Sequence, residues 1–453
     1  MVKIMNKYVE NTINSVKEKH KDEPEFVQTV EEVFSSISQV IDAHPEYEKV
    51  DLLVKMVEPE NLVLFDVNWE DDKGIKHTNK GYRVQFNSVL GPYKGGLRFQ
   101  KNVTLNILKF LGFEQTFKNS LTGYTIGGGK GGSDFDPAGK SEAEIKRFCE
   151  AFMQGLYKYI GSTKDVPAGD MGVGGREIKF LFDEYIKLTG SKELGFITGK
   201  DISFGGSILR PEATGYGAIY YLNEVLKHEN DTIKGKRIGV SGYGNVAWGI
   251  MKKAAELGAK VTYMAGPDGY IHDEDGIITE EKLNFILDMR QKDPMHCKPY
   301  ADKFGCEFVP NKKFWGVKDV DVYMPAATQN DVDIESAKKI IDSKVKYYLE
   351  VANMPTINEA LNLLRKSNII VAPSKAVNAG GVGVSFLEME QNRKHETWTK
   401  EQVDEELKRM MIHIYNASVD ASKRYNLDYD LVSGANIAGF ERVAEAMYKK
   451  IKG

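Results

Sequence analysis

The stretch Lys236-Arg-Ile-Gly-Val-Ser-Gly242-Tyr-Gly244-Asn-Val-Ala247 decides the fold of this chain. It places a G-x-G-x-x-A pattern after a short β-branched run and before an amphipathic stretch that reaches Leu257. In a dinucleotide-binding unit, Gly242 makes the tight turn, Gly244 lets backbone amides approach a pyrophosphate, and a small third residue allows close helix–strand packing. The pattern therefore predicts a strand, a phosphate-binding turn and a helix; a purely structural glycine turn is the alternative.

In the chain around this motif, short β-branched runs alternate with longer amphipathic stretches. Such alternation predicts βαβ units and a mostly parallel sheet. Helical spacing then returns at Glu401–Tyr425 and Phe440–Ile451, so we expect the chain to close with helices. The predicted strands are Arg237–Ser241, Val261–Met264, Asp321–Met324, Lys346–Val351 and Asn368–Ala372.

The N-terminal part of the chain follows a different pattern. Apolar residues at helical spacing predict packed helices between Lys7 and Met56. Two partly alternating runs, Leu62–Trp69 and Lys80–Phe86, predict paired strands joined through Asp71–Gly74. The helices predicted next are Thr104–Lys118 and Lys140–Ile160, with a glycine-dense loop predicted between them.

Four polar residues in this part are candidates for holding an anion. Lys94 and Lys130 each lie among glycines, where backbone can approach a ligand without obstruction by a Cβ atom. Gln115 and Lys118 lie on one predicted helix at i, i+3 spacing, so they share a face and can converge on one anion. Lysines gathered in one site repel each other, and repulsion with burial lowers a lysine pKa enough to supply a neutral amine. A Walker A site is excluded, because Lys130 precedes Gly131 rather than Ser or Thr.

A further loop is predicted at Asp165–Gly175, which reads as too rich in glycine for an ordinary helix or strand. Within it, Asp170 presents a carboxylate that could transfer a proton at a reacting carbon. A turn-forming aspartate is an equally good interpretation from the residues alone.

Composition limits the function classes. At 453 residues the chain exceeds the size of a single hydrophobic core, so we expect two domains. The net charge is −4 with both signs interspersed, which favours neither nucleic acid nor a membrane surface as a partner. Three scattered cysteines indicate no disulfide framework and fit the cytoplasm, and eight histidines without i, i+3 to i+5 pairs indicate no metal site.

The choice of cofactor depends on the end of the second strand. An NAD site usually has a carboxylate there that accepts the ribose hydroxyls, and Asp268 is the first acid after Met264. No cation follows this strand directly to bind a 2′-phosphate, so the sequence favours NAD, with NADP possible. Arg290 or Lys292 could still reach such a phosphate through the fold.

With these residues in view, the chain resembles the small hexameric glutamate dehydrogenases of the Glu/Leu/Phe/Val dehydrogenase family along nearly its whole length. The resemblance rests on long and specific stretches rather than on single residues. They are GPYKGGLRF at 91–99, GGGKGGSDFDP at 127–137, VPAGD at 166–170, RPEATGYG at 210–217, ATQND at 327–331, EVANMPT at 350–356 and APSKAVNAGGV at 372–382.

The resemblance implies roles for individual residues. Lys94 and Ser385 match residues that hold the substrate γ-carboxylate, and Gln115 and Lys118 match those that hold the α-carboxylate. Gly169 falls where backbone contacts the substrate amino group. The matches to catalytic residues are Lys130 and Asp170, and those to cofactor-contacting positions are Thr214 and Asn245. With Asn353 of the EVANMPT stretch and the motif-derived Gly242, Gly244 and Asp268, they make up the predicted cofactor site.

The resemblance also implies an α/β fold with a Rossmann-like dinucleotide-binding domain at 206–428. A substrate-binding and oligomerisation domain would comprise 1–205 and 429–453, with a cleft between the two. The implied activity is the reversible oxidative deamination of L-glutamate to 2-oxoglutarate and ammonium by a cytoplasmic homohexamer. A branched-chain or aromatic amino-acid dehydrogenase should instead carry apolar residues at Lys94 and Ser385. A catalytically silent dinucleotide-binding scaffold would have little reason to keep Lys130 and Asp170 together with the carboxylate-binding residues.

Three departures from the family pattern stand out. Phe386 occupies a position where we expect glycine, and Ala326 replaces a usual cysteine. The segment Gly123-Tyr-Thr-Ile126 differs from the usual TLPM. None of these departures removes a predicted catalytic group.

Overall fold

The structure, a computed structural model, describes residues 5–191 and 193–453. The chain divides into two compact units. The first comprises the described residues up to Ile208 together with Val384–Val403 and Asn436–Gly453; the second comprises Leu209–Gly383 and Asp404–Ala435. The first boundary lies close to the expected residue 205, whereas residues 384–403 fall in the first unit rather than in the expected dinucleotide-binding domain.

The first unit contains the N-terminal helices, a mixed sheet and the helices that cover it. The predicted hairpin and the predicted helices are confirmed. The elements are α1 (Lys7–Lys19), α2 (Pro24–Ser36), α3 (Ser38–Ala43), α4 (Leu52–Met56), β1 (Asn61–Glu70), β2 (Lys76–Asn87), β3 (Tyr93–Phe99), α5 (Leu105–Leu121), β4 (Gly128–Ser133), α6 (Glu142–Leu156), β5 (Asp165–Gly169) and α7 (Gly175–Thr189).

The sheet of this unit has the order β1-β2-β4-β3-β5. Strands β1 and β2 form the antiparallel hairpin, and β3 runs parallel to both β4 and β5. Helix α5 packs against β2 and β4, while a core that includes Leu97, Phe148 and Leu181 joins the sheet to α6 and α7. Helix α5 also contacts β3, so it lies over three adjacent strands, β2, β4 and β3.

Two glycine-rich segments predicted as loops are in part strands, so both predictions were partly wrong; residues 170–174 do form a loop. Strand β4 occupies Gly128–Ser133 and β5 occupies Asp165–Gly169. In β4 the glycines mark close approach, because a Cβ atom on Gly128 would lie 2.0 Å from the hydroxyl oxygen of Thr116. A Cβ atom on Gly131 would lie 2.7 Å from the side chain of Leu97. Glycine weakens a strand in isolation, but here it is what allows α5 and β3 to pack against β4.

The second unit contains a seven-stranded sheet with helices around it. Its elements are α8 (Ala213–His228), β6 (Arg237–Ser241), α9 (Asn245–Glu256), β7 (Lys260–Gly266), β8 (Gly269–His272), α10 (Glu280–Lys292), α11 (Lys298–Phe304), β9 (Glu307–Pro310), β10 (Val322–Pro325), α12 (Ile334–Asp342), β11 (Tyr347–Leu349), α13 (Asn358–Arg365), β12 (Ile370–Ala372) and α14 (Ser374–Val377). The closing helices are α15 (Gly380–Lys394), α16 (Lys400–Arg424) and α17 (Leu431–Lys452).

The strand order of the second sheet is β12-β11-β10-β6-β7-β8-β9. The predicted parallel strands are confirmed, while the antiparallel edge strands β8 and β9 were not predicted because they are short and only partly apolar. After β6 the chain adds β7 on one side and later β10 on the other, so the strand order reverses at β6. In such sheets, ligands bind at the carboxyl ends of the strands beside this reversal.

Hydrogen bonds explain why residues 384–403 belong to the first unit. The Gln391 side chain donates from Nε2 to the Ser207 hydroxyl at 2.9 Å, and the Asn392 amide donates to the Gly205 carbonyl at 2.7 Å. The sequence predicted neither the helix that ends at Lys394 nor the unit that its polar side chains contact. Among the described residues, no helix is long and apolar enough to cross a membrane.

Candidate active site

Strand register brings Lys130 and Asp170 together in the first unit. Leu97 of β3 lies opposite Gly131 of β4 on one side and Gly169 of β5 on the other. Lys130 precedes Gly131 and Asp170 follows Gly169, so the two side chains approach each other over β3. Lys130 Nζ lies 2.8 Å from Asp170 Oδ2. The predicted catalytic pair is thus a direct ion pair.

The absence of a side chain at Gly96 of β3 permits this ion pair. Gly96 lies between the two residues, and a Cβ atom on it would be 2.7 Å from the Gly169 carbonyl oxygen and 2.8 Å from Asp170 Cβ. Any side chain at Gly96 would therefore push Asp170 away from Lys130.

Arg98 is a third residue at this ion pair, and its role was not predicted from the sequence. Its Nε donates to Asp170 Oδ2 at 3.0 Å, so one carboxylate oxygen accepts from two cations. The signal was present in the GPYKGGLRF stretch, where Arg98 alternates with Lys94 and Gly96 on β3 and therefore shares their face. We refer to Lys130, Asp170 and Arg98 as the catalytic cluster, after the role predicted for Lys130 and Asp170.

The environment shifts both titratable partners. Burial lowers the pKa of the Lys130 ammonium below its ordinary value; Asp170 opposes this shift, and the charges of Arg98 and Arg83 add to it. Burial by itself raises the pKa of Asp170, but the Lys130 and Arg98 charges outweigh burial and hold that pKa well below its usual range. The geometry thus provides an ionised carboxylate beside a lysine that loses its proton more readily than usual.

Lys94 lies at the start of β3, with only 1% of its surface exposed. Its Nζ donates to the Thr198 hydroxyl at 2.7 Å, and the Thr198 backbone N–H donates to the Pro167 carbonyl of β5. Ser385, the other residue predicted to hold the γ-carboxylate, is buried on α15 in the same unit. Thr198 was not predicted, because its segment carries no motif.

The predicted α-carboxylate residues share helix α5. Gln115 donates from Nε2 to the Asn119 side-chain oxygen at 2.6 Å, and Lys118 is half-buried on the same helix. Asn119 is fully buried and donates to the Lys94 and Gly127 carbonyls, at 3.0 and 2.5 Å. This unpredicted asparagine joins the helix that carries Gln115 to β3 and to the residue that precedes β4.

In the second unit, the turn after β6 has the geometry that the motif predicts. Gly242 has a φ of 87°, which favours glycine, and its N–H donates to the Ala265 carbonyl. Gly244 is the N-cap of α9, and a Cβ atom on it would meet nothing within 4 Å. Asn245 is exposed in the first turn, and Ala247 is buried. The N-terminus of α9 is therefore open to an anion.

Of the other predicted cofactor residues, two follow strands of this sheet and one lies at the start of a helix. Thr214 is in the first turn of α8, whose next residue, Gly215, packs directly against the α9 backbone. Asn353 follows β11 and accepts a hydrogen bond from the Asn378 side chain at 2.9 Å. Asp268 lies in the β7–β8 turn, where its carboxylate accepts from the backbone N–H groups of residues 297 and 298 at 2.9 and 3.1 Å.

The cations considered for a 2′-phosphate lie on α10. The Arg290 guanidinium is half-buried, its Nη1 has no hydrogen-bond partner, and burial lowers its pKa. Lys292 is exposed at the end of that helix. Across residues 5–191 and 193–453, no group of three or more His, Cys, Asp or Glu side chains is arranged to hold a metal ion.

Comparison with known proteins gives consistent matches. A family profile described as Glutamate/Leucine/Phenylalanine/Valine dehydrogenase matches residues 205–450, and its dimerisation-domain counterpart matches residues 59–187. The chain is 59% identical over 444 residues to the NAD-specific glutamate dehydrogenase of Clostridium symbiosum, covering 98% of each. It is 47% identical to the NADP-specific glutamate dehydrogenase of Psychrobacter sp. (strain TAD1), covering 97% of this chain and 98% of that one. A solved glutamate dehydrogenase structure, 59% identical, matches with a TM-score of 0.97 over 98% of this chain and 99% of that chain.

Proposed function

The chain belongs to the Glu/Leu/Phe/Val dehydrogenase family, and on that premise we propose that it is a glutamate dehydrogenase. It catalyses the reversible NAD(P)-dependent oxidative deamination of L-glutamate to 2-oxoglutarate and ammonia. The observation that carries this proposal is the combination of the catalytic cluster with a buried Lys94 in one unit. The buried Lys94 ammonium can donate a charge-assisted hydrogen bond to the substrate γ-carboxylate.

Binding of the substrate uses both of its carboxylates. Lys94 and Ser385 hold the γ-carboxylate, while Gln115 and Lys118 hold the α-carboxylate from helix α5. The Gly169 backbone contacts the amino group. Two separate grips fix the diacid in one orientation, with its α-carbon directed toward the catalytic cluster.

Proton transfers fall to Lys130 and Asp170. In oxidation, Lys130 acts as a neutral base that activates the water attacking the iminium carbon, and its lowered pKa increases the neutral fraction. Asp170, ionised beside two cations, accepts a proton from Lys130 once Lys130 has deprotonated the water, and passes it to the amino group as that group departs. When bound, the nicotinamide supplies the hydride acceptor. In the reverse reaction the same groups return the protons.

The cofactor is NAD in preference to NADP. Gly242, Gly244 and the first turn of α9 bind the pyrophosphate, with Thr214, Asn245 and Asn353 around it. Asp268 places a carboxylate after the second strand, which would repel a 2′-phosphate. The NAD-specific relative is more similar than the NADP-specific one, which also supports NAD.

The protein forms a homohexamer in the cytoplasm. Strand β1 is an edge of the first sheet, and its outward-facing Leu62 and Leu64 are 46% and 56% exposed. An exposed apolar edge strand favours pairing with another copy, which supports self-association. The number of subunits follows from family likeness. The free thiols Cys149, Cys297 and Cys306 are compatible with a reducing compartment.

Initial rates test the function and the cofactor together. We expect 2-oxoglutarate and ammonium to support oxidation of NADH faster than oxidation of NADPH at equal concentration. Branched-chain and aromatic 2-oxo acids should react far more slowly, because they have no γ-carboxylate to accept a charge-assisted hydrogen bond from Lys94. A faster reaction with an apolar 2-oxo acid would contradict the glutamate assignment, whereas a faster reaction with NADPH would contradict only the cofactor preference.

A further inference from the structure

A fully buried ion pair lies outside the catalytic cluster in the first unit. Lys200 Nζ and Glu388 Oε1 are 2.7 Å apart, and both side chains are 0% exposed. Neither residue belongs to a predicted motif. Burying two charges carries a large desolvation penalty, and hydrophobic residues of similar size often stabilise a fold as well. The Lys200–Glu388 ion pair therefore points to a role other than stabilising the fold.

The backbone before Lys200 wraps around the Glu388 carboxylate. The Gly199 N–H donates to Glu388 Oε2 at 2.9 Å, and the Lys200 N–H donates to Oε1 at 3.4 Å. The Lys200 ammonium also donates to the Ile197 carbonyl at 2.5 Å, which closes the turn. Thr198 lies inside this closed turn, so the carboxylate fixes the backbone on the C-terminal side of Thr198 and the ammonium fixes it on the other.

Thr198 is a hydrogen-bond partner of Lys94. Its hydroxyl accepts from Lys94 Nζ at 2.7 Å. Glu388 also lies three residues after Ser385 on α15, and i, i+3 residues share a helix face. Helix α15 thereby carries Ser385 and, through Glu388, also fixes the position of Thr198, which contacts Lys94.

We propose that Glu388 and Lys200 are positioning residues that set selectivity for a substrate with a γ-carboxylate, acting through Thr198 on Lys94. The inference rests on the proposed function, in which Lys94 binds that carboxylate. Loss of the pair would let the 197–200 turn relax and the Lys94 ammonium move. Glutamate would lose an aligned charge-assisted contact, whereas norleucine, which has no γ-carboxylate, would lose nothing there.

The test compares kcat/KM for L-glutamate and L-norleucine in the wild type, Glu388→Gln and Thr198→Val. In both variants we expect the glutamate-to-norleucine ratio to fall about tenfold or more, with norleucine changed less than about twofold, as for one contact to a charged group. Combining the two substitutions should lower the ratio little further, because they interrupt one route. Additive losses would overturn the route through Thr198.

Glu184→Gln is the matched control. Glu184 is a buried carboxylate of the same unit whose partners, Gln154 and Lys187, are outside the candidate site. It should alter thermal stability without altering the substrate ratio.

If Glu388→Gln does not fold because Lys200 is left unpaired, Glu388→Gln/Lys200→Gln removes both charges and should show the same loss of selectivity. A lower melting temperature with an unchanged ratio would mean that the pair is only structural and would overturn the inference. A wild-type enzyme without a preference for glutamate would overturn the proposed function and the inference with it.

Discussion

The rings of Tyr124 and Phe386 stack with their centroids 4.1 Å apart and their planes 15° apart. Both residues stand where the chain departs from the family pattern, Tyr124 in the Gly123–Ile126 segment and Phe386 beside Ser385. The two departures, far apart in sequence, therefore meet in the structure. The contact supports the backbone of α15 at Ser385, where a glycine would have offered no side chain.

The stack should be measurable as an energetic coupling. We expect Tyr124→Leu and Phe386→Leu each to lower the free energy of unfolding, with a coupling of about 0.5–1.5 kcal/mol in a double-mutant cycle. Denaturant unfolding of the four proteins measures it. Strictly additive losses would show that the rings contact without stabilising one another.

Lys94→Leu should shift substrate preference toward apolar amino acids. The variant loses a charge-assisted contact worth on the order of 2–4 kcal/mol for glutamate. Competition between L-glutamate and L-norleucine measures the shift, with Lys101→Leu as an exposed-lysine control. If glutamate still exceeded norleucine about a thousandfold, the assignment of Lys94 would be wrong.

Asp170→Asn should lower kcat by about 10²–10⁴-fold, the usual contribution of a positioned proton-transfer group. The carboxylate also raises the pKa of Lys130, so removing it lowers that pKa further. The oxidation rate falls as Lys130 becomes protonated, and the acid limb of kcat/KM should therefore move to lower pH. Asp183→Asn, at an exposed pair with Lys179, should change neither quantity.

Arg98→Met should move the acid limb of the kcat/KM pH profile to higher pH, opposite to Asp170→Asn. The Arg98 charge lowers the pKa of Lys130, so its removal raises that pKa and shifts the acid limb to higher pH. Arg98→Lys retains the charge and should keep the limb near its wild-type position. A shift to lower pH in Arg98→Met would show that Arg98 acts mainly by orienting Asp170.

Gly96→Ala should separate the two catalytic side chains. The added methyl would meet the Gly169 carbonyl oxygen and Asp170 Cβ at less than 3 Å, so we expect a loss of about 1–3 kcal/mol in unfolding free energy. We also expect kcat to fall about tenfold or more, because the Lys130–Asp170 pair must open. Gly175→Ala is the control, because nothing lies within 4 Å of its added methyl group. Full activity in Gly96→Ala would show that the ion pair tolerates displacement.

Features that depend on neighbours in sequence were predictable. The Gly242–Ala247 spacing predicts the β6–α9 turn because it records local backbone requirements, and the turn has that geometry. Alternation of apolar residues likewise predicts the hairpin and the parallel strands. The glycine segments at β4 and β5 were misread as loops, because the contacts that make them strands come from α5 and β3 rather than from adjacent residues.

The sequence alone predicted the dinucleotide-binding turn, the β1–β2 hairpin, the parallel strands of the second sheet, and the lysines and aspartate proposed for the chemistry. Two contacts are visible only in the tertiary structure. Arg98 and Lys130 both contact Asp170, although Arg98 is 72 residues from Asp170. Thr198 contacts Lys94 although 104 residues separate them. The tertiary structure also decided that residues 384–403 belong to the first unit. The physical reason is range: backbone propensity and periodicity act over a few residues, whereas hydrogen bonds and ion pairs between distant segments exist only once packing brings them together.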